Sequence, residues 1–175
     1  MKKLLLILII ITAGCGRYPT WYNEPSAADK TSQAWIHFSS DEFSDAETLF
    51  IEALSLDSTY ASAKVGLGWV ILLSHDNDIQ EAEPLFEYGM KYQTWEYDAM
   101  CGRCVLASIL SDYTRVITYA DQILDDKPAY VFTYYPDIDS NDITILKIQA
   151  LFYKKQYSMA WSAVQKLTNE YELDP

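Results

Sequence analysis

Few residue types in this chain of 175 residues could do chemistry, and each sits in a spacing that can be weighed. Cys101-Gly102-Arg103-Cys104 is the sharpest motif. Two thiols three apart can exchange with a disulfide when one is held as a thiolate, which calls for a helix N-terminus or a nearby cation. No strand pattern runs ahead of Cys101 to present such a helix end, and Val105 stands where haem attachment would need His. A metal would need more thiolates or imidazoles nearby than His37 and His75 can add. These cysteines therefore read as packed thiols or an incidental disulfide, which at i,i+3 in a helix needs some distortion. Asp137, Asp139, Asn141 and Asp142 offer oxygens at the spacing of a calcium loop, but Asp142 replaces the required Gly and Ile148 the required Glu. A helix cap, with Asn141 the first choice, is their simpler use. His75-Asp76-Asn77-Asp78 reads as a polar turn, and His37 as a packed or rim histidine.

Composition narrows the classes further. The chain carries 25 acids against 13 bases, a net charge of −12. Phosphate backbones are bound by clustered Lys and Arg, so nucleic acid is not expected as a partner. Two histidines and six glycines leave a catalytic triad and a phosphate-cradling loop without material. Half the residues are hydrophobic, enough for one folded domain. The expectation is a chain that is not an enzyme and holds no cofactor or metal. The enzymatic alternative is a thiol oxidoreductase using Cys101 and Cys104.

The N-terminus reads as an address. Lys2 and Lys3 precede an apolar run from Leu4 to Ile11, and small residues follow up to Cys15. This is the layout of a secretory signal peptide, and the run is far short of the ~20 residues that span a bilayer. Ala13-Gly14-Cys15 resembles the lipobox of bacterial lipoproteins, although Thr12 stands where that family usually has Leu. The resemblance implies a signal peptide over 1–14 and a lipid on Cys15. Gly16 in place of Asp favours the outer membrane, facing the periplasm. Cleavage leaves 11 bases and 25 acids, so an anionic body would be held at the membrane by acyl chains alone. Residues 15–26, with Pro19, Pro25, Tyr18, Trp21 and Tyr22, show no period and read as a tether.

The elements that position everything else come from an internal repeat. Ala46-Phe50-Ala53, Ala82-Phe86-Gly89, Val116-Ala120-Ile123 and Ala160-Val164-Leu167 share a four-then-three spacing, which puts each trio on one helical face. Upstream of each lies a second helical stretch, centred near Ala34, Gly68, Cys104 and Ile148. This pattern resembles the tetratricopeptide repeat, a family of 34-residue helical hairpins. The resemblance implies an all-α, right-handed α-solenoid of about four such hairpins over 27–174: 27–60, 61–96, 97–130 and 141–174. An aromatic insertion at 131–140 interrupts the array; it reads as a lid over the core edge or as a contact surface.

In that family the first helices line a concave groove that binds peptides. Carried over position by position, the groove consists of Trp35, Phe38, Val65, Trp69, Leu72, Val105, Ile109 and Phe152, with Cys101 and Tyr153 beside them. The family's basic carboxylate clamp is absent, so an acidic C-terminus is not the expected ligand. The lining suits an amphipathic helix or extended peptide. The resemblance implies a lipid-anchored, periplasm-facing adaptor that binds another envelope protein or peptide in an assembly or secretion complex. Two other occupants remain open: the chain's own tether or insertion, and a neighbouring copy through self-association. No polar capping helix follows the fourth repeat, so the outer side of the last helix is a second contact surface to examine.

Overall fold

The computed structural model describes residues 24–74 and 78–170, without the side chains of 169 and 170. The expected signal peptide, Cys15, most of the tether, His75 and the last five residues lie outside them. Eight α-helices follow in chain order: α1 (Ala27–Phe38), α2 (Phe43–Leu56), α3 (Ala61–Ser74), α4 (Ala82–Gly89), α5 (Glu96–Ile109), α6 (Tyr113–Asp126), α7 (Ser140–Tyr153) and α8 (Tyr157–Glu170). One 3-10 turn, Ile79–Glu81, leads into α4. The described residues hold no β-strand, only an isolated bridge between Val131 and Asp139. Each helix packs on the next in the chain, and α1, α3, α5 and α7 also touch in succession. The architecture is an all-α solenoid of four helical hairpins, with the first helices forming one layer.

Local chemistry sets the helix ends. Ser26 caps α1 in a reciprocal box with Asp29, so two orphan amides at that terminus are satisfied. Asp139 does the same for α7 with Asp142. The acid run near the insertion is thus a cap, seated two residues before the expected Asn141. Asp112 accepts from the Arg115 amide at the start of α6. Asp41, Ser111 and Lys155 adopt left-handed backbone with φ near 60°. Each lies in the short turn between the two helices of its hairpin, where the chain must reverse within three to four residues.

The hairpins lock together by inserting an aromatic ring from one unit against small residues of another. Phe50 of α2 lies on Gly66 of α3, where a Cβ would collide with the ring. Phe86 of α4 sits between Gly68 of α3 and Gly102 of α5, leaving no room for a Cβ at 102. Both phenylalanines are fully buried. The four-then-three pattern therefore marks the residues that close the inter-hairpin core, and each fully buried ring contributes about 1.5–3 kcal/mol of transfer energy.

Candidate functional site

The concave layer made by α1, α3 and α5 is occupied by the chain itself. Between α6 and α7 the backbone leaves helix from Lys127 to Asp139 and folds back over the first helices. This loop holds its own shape: the Phe132 amide donates to the Ile138 carbonyl at 2.9 Å, and the Ser140 amide to the Tyr130 carbonyl at 2.9 Å. Phe132 is fully buried and stacks on Trp69, with centroids 4.7 Å apart. Tyr134 stacks on Trp35 at 4.1 Å, and Trp95 lies parallel to Trp35 at 5.7 Å. Tyr135 meets Phe38 edge-on. The Ser39 hydroxyl donates to the Tyr134 carbonyl at 2.8 Å, tying the loop to the end of α1. Both buried indoles are satisfied: Trp35 donates to Ser62 Oγ at 2.9 Å and Trp69 to the Asp98 carbonyl at 3.2 Å.

Five of the expected groove residues, Trp35, Phe38, Val65, Trp69 and Leu72, are buried beneath this loop or in the core around it, each at most 3% exposed. They line no open groove here, because the aromatic insertion supplies the apolar partner that a peptide would have brought. Cys101 is buried beside them, and Val105 is half-buried. Ile109, Phe152 and Tyr153 remain exposed, so the expected groove residues do not form one surface. Phe132 and Tyr134 complete the aromatic cluster from the insertion, which the sequence offered as a lid or as an occupant of the groove, and Trp95, just ahead of α5, joins them without having been expected there.

The open apolar surface lies at the other end. On α7, Ile148 and Phe152 share a face by their four-residue spacing, with Tyr153 at its edge, and on α8 Tyr157, Trp161 and Val164 share one by spacings of four and three. They border a cleft of about 750 Å³. Phe152 and Trp161 are 59% and 63% exposed, and no described residue covers them. Repeat phase explains the exposure. Val164 corresponds to Ala120, Phe86 and Phe50, and Ile148 to Cys104, Gly68 and Ala34. In the first three hairpins these positions are buried, and Phe50 and Phe86 are shielded by Gly66 and Gly102 of the following unit. In the fourth they are half-buried, because no described hairpin follows. Trp161 and Tyr157 were not among the expected site residues.

The thiols sit in a different environment. Cys101 and Cys104 are free and buried. Burial pushes the Cys104 thiol up to about 12, and burial with the neighbouring Cys104 drives Cys101 well above its ordinary range. A thiol held neutral is a poor nucleophile. The rest of the motif is also accounted for by packing: Gly102 receives the Phe86 ring, and Arg103 pairs with Glu83 across the hairpin boundary. Nearby, Asp98 is pushed up to about 6 by burial, opposed by the Tyr130 hydroxyl that donates to it at 2.9 Å and by Lys127.

Among the described residues, His37, Glu42 and Asp45 bring ligand atoms within 4.8 Å of one another. They are partly or fully exposed, His37 already pairs with Glu42, and the cluster lies at the N-terminus of α2, whose dipole disfavours a cation. An ion pair at the hairpin turn accounts for them. No helix among the described residues is long and apolar enough to cross a membrane. No family model matches the chain, and comparison with curated proteins finds no match.

Proposed function

We propose that this chain is a protein-binding adaptor built from tetratricopeptide-like hairpins, lipid-anchored at Cys15 and facing the periplasm. Its partner docks on the open face of α7 and α8, not in the concave layer. The observation that carries this reading is the aromatic cleft around Phe152, Tyr157 and Trp161, left uncovered on an otherwise tightly packed array. Exposed aromatics beside helical ridges are the usual anchors of helix-in-groove recognition. Binding is favoured over thiol chemistry because both cysteines are buried and their thiols are held neutral. Removing an anchor of this kind costs ~2 kcal/mol, a thirtyfold loss of affinity at ~1.4 kcal/mol per decade. Trp161→Ala in the full chain should reduce partner recovery from membranes by about that factor, with melting unchanged. Undiminished recovery would refute the docking face. The anchoring half is separate: Cys15→Ser should move the protein from the membrane fraction to the soluble periplasmic fraction, and continued sedimentation with membranes would refute it.

A further inference from the structure

A second cleft lies where α1, the turn before α3, the stretch before α5 and the insertion meet. It measures about 420 Å³, within the range of small-ligand sites. Three of the residues that border it are the parallel rings Trp35, Trp95 and Tyr134. Trp95 and Tyr134 each stack on Trp35, yet their own centroids are only 6.0 Å apart. Rings on opposite faces of an indole would stand about 7 Å apart, two layers at ~3.5 Å each. Both therefore lie on the same side of Trp35, side by side and inclined by 14°. Trp35 is buried beneath them, while Trp95 and Tyr134 are half-buried at the border of the cleft. Together they make a flat platform two rings wide, backed by a third.

The rim around this platform is polar. The hydroxyls of Tyr60 and Thr94 make no hydrogen bond to another described residue. Ser62 accepts the Trp35 N–H at 2.9 Å and keeps its own hydroxyl proton for an acceptor. Asp57 accepts the Thr59 amide and hydroxyl on Oδ1, at 2.8 and 2.7 Å, and no described donor reaches its Oδ2. Asp57 is also the only charged side chain among the described residues that border the cleft, so nothing there neutralises an anion. The surroundings disfavour one as well, since residues 24–60 hold one lysine against eight acids.

An apolar floor with hydroxyls and one carboxylate at its edge is the complement of an uncharged pyranose ring. One face of such a ring presents C–H groups whose partial positive charge suits the negative face of an aromatic ring, and its edge presents hydroxyls that donate and accept. We propose that this cleft binds a neutral saccharide, stacked on Trp95 and Tyr134 and held at its edge by Asp57, Ser62 and Thr94. The site is separate from the α7–α8 face and stands or falls independently of it.

The test applies the full chain, in a detergent without a sugar headgroup, to an array of neutral glycans built from hexoses, deoxyhexoses and N-acetylhexosamines. Those that bind are titrated in solution and followed by saturation-transfer nuclear magnetic resonance. The expected result is binding of at least one neutral oligosaccharide, with transfer strongest at its ring C–H protons. Trp95→Ala and Thr94→Arg should each weaken that binding at least tenfold. Thr94 is exposed, so the arginine fills the cleft without disturbing the core, and melting should stay within a degree or two. Binding that survives both changes would overturn the site. Binding of acidic glycans alone, or of tetramethylammonium with no sugar, would overturn the ligand class. A chain that binds no glycan on the array would overturn the proposal outright.

Discussion

Replacing Trp69 by Ala separates a groove that is filled from a groove that binds. The indole is 0% exposed, stacks on Phe132 at 4.7 Å, meets Phe86 edge-on at 5.7 Å and donates its N–H to the Asp98 carbonyl. Truncating a buried Trp to Ala costs about 3–5 kcal/mol, because the transfer energy is lost and the surrounding rings collapse only in part. Its neighbours are held from two sides, Phe86 by Gly68 and Gly102 and Phe132 by the loop's own hydrogen bonds, so the upper half of that range applies. At about 2–4 °C per kcal/mol for a domain of this size, melting should fall by roughly 10 °C or more. Thermal unfolding followed by circular dichroism reads this directly, and near-ultraviolet ellipticity should lose the signal of the stacked indole. A variant that melts within about 2 °C of the parent would refute the burial of Trp69 beneath the loop. It would then belong to an open groove after all.

Gly102→Leu should cost about 1–3 kcal/mol or more, measured by denaturant unfolding, because any side chain at 102 meets the Phe86 ring. Unchanged stability would mean that hairpins two and three do not meet there. Asp98→Asn tests the buried acid. Its carboxyl, raised from 3.8 to about 6, keeps a proton in the fold that the unfolded chain has released, so its contribution falls as pH rises from about 4 to 6. The cost at neutral pH is at most about 3 kcal/mol at 1.36 kcal/mol per pH unit. The Asn variant, which can still accept from Tyr130, should therefore be more stable than the parent at pH 7 by about 1–3 kcal/mol. That advantage should vanish by pH 4, and one that persisted there would show that another interaction is responsible.

What was legible in the amino-acid order was what packs locally. The trio Ala82-Phe86-Gly89 lies within one helix, its partners Gly68 and Gly102 lie within 18 residues of Phe86, and the period marked the trio and Gly68, though not Gly102. The phase of the repeat also showed Cys104 as a packing residue before any burial was known. The loop was legible as a lid or as one possible occupant of the groove, but its individual contacts were not, because they are remote: Tyr134 reaches Trp35 and Ser39 across some 95 positions, and no period links them. Its aromatics announced burial or binding without saying against what. Resemblance to an open-grooved family pointed to Trp35 and Trp69 as contact residues, whereas this chain spends its insertion on covering them. The exposed face was half legible. The outer side of the last helix was already an expected contact surface, but Trp161 gains its meaning only when Val164 and Ile148 are seen half-exposed at positions buried in every earlier described hairpin.

The chain closes its own concave layer with the 127–139 loop and leaves the aromatic face of α7–α8 exposed. Oxidation of the full chain by a tryptophan-selective reagent, followed by peptide mass spectrometry over time, tests this most directly. Trp161, 63% exposed, should be modified rapidly in the folded protein, while Trp35 and Trp69, at 3% and 0%, should stay protected until unfolding. Modification of Trp69 as fast as Trp161 would contradict the account, for it would mean that the layer is open and the loop is not its occupant.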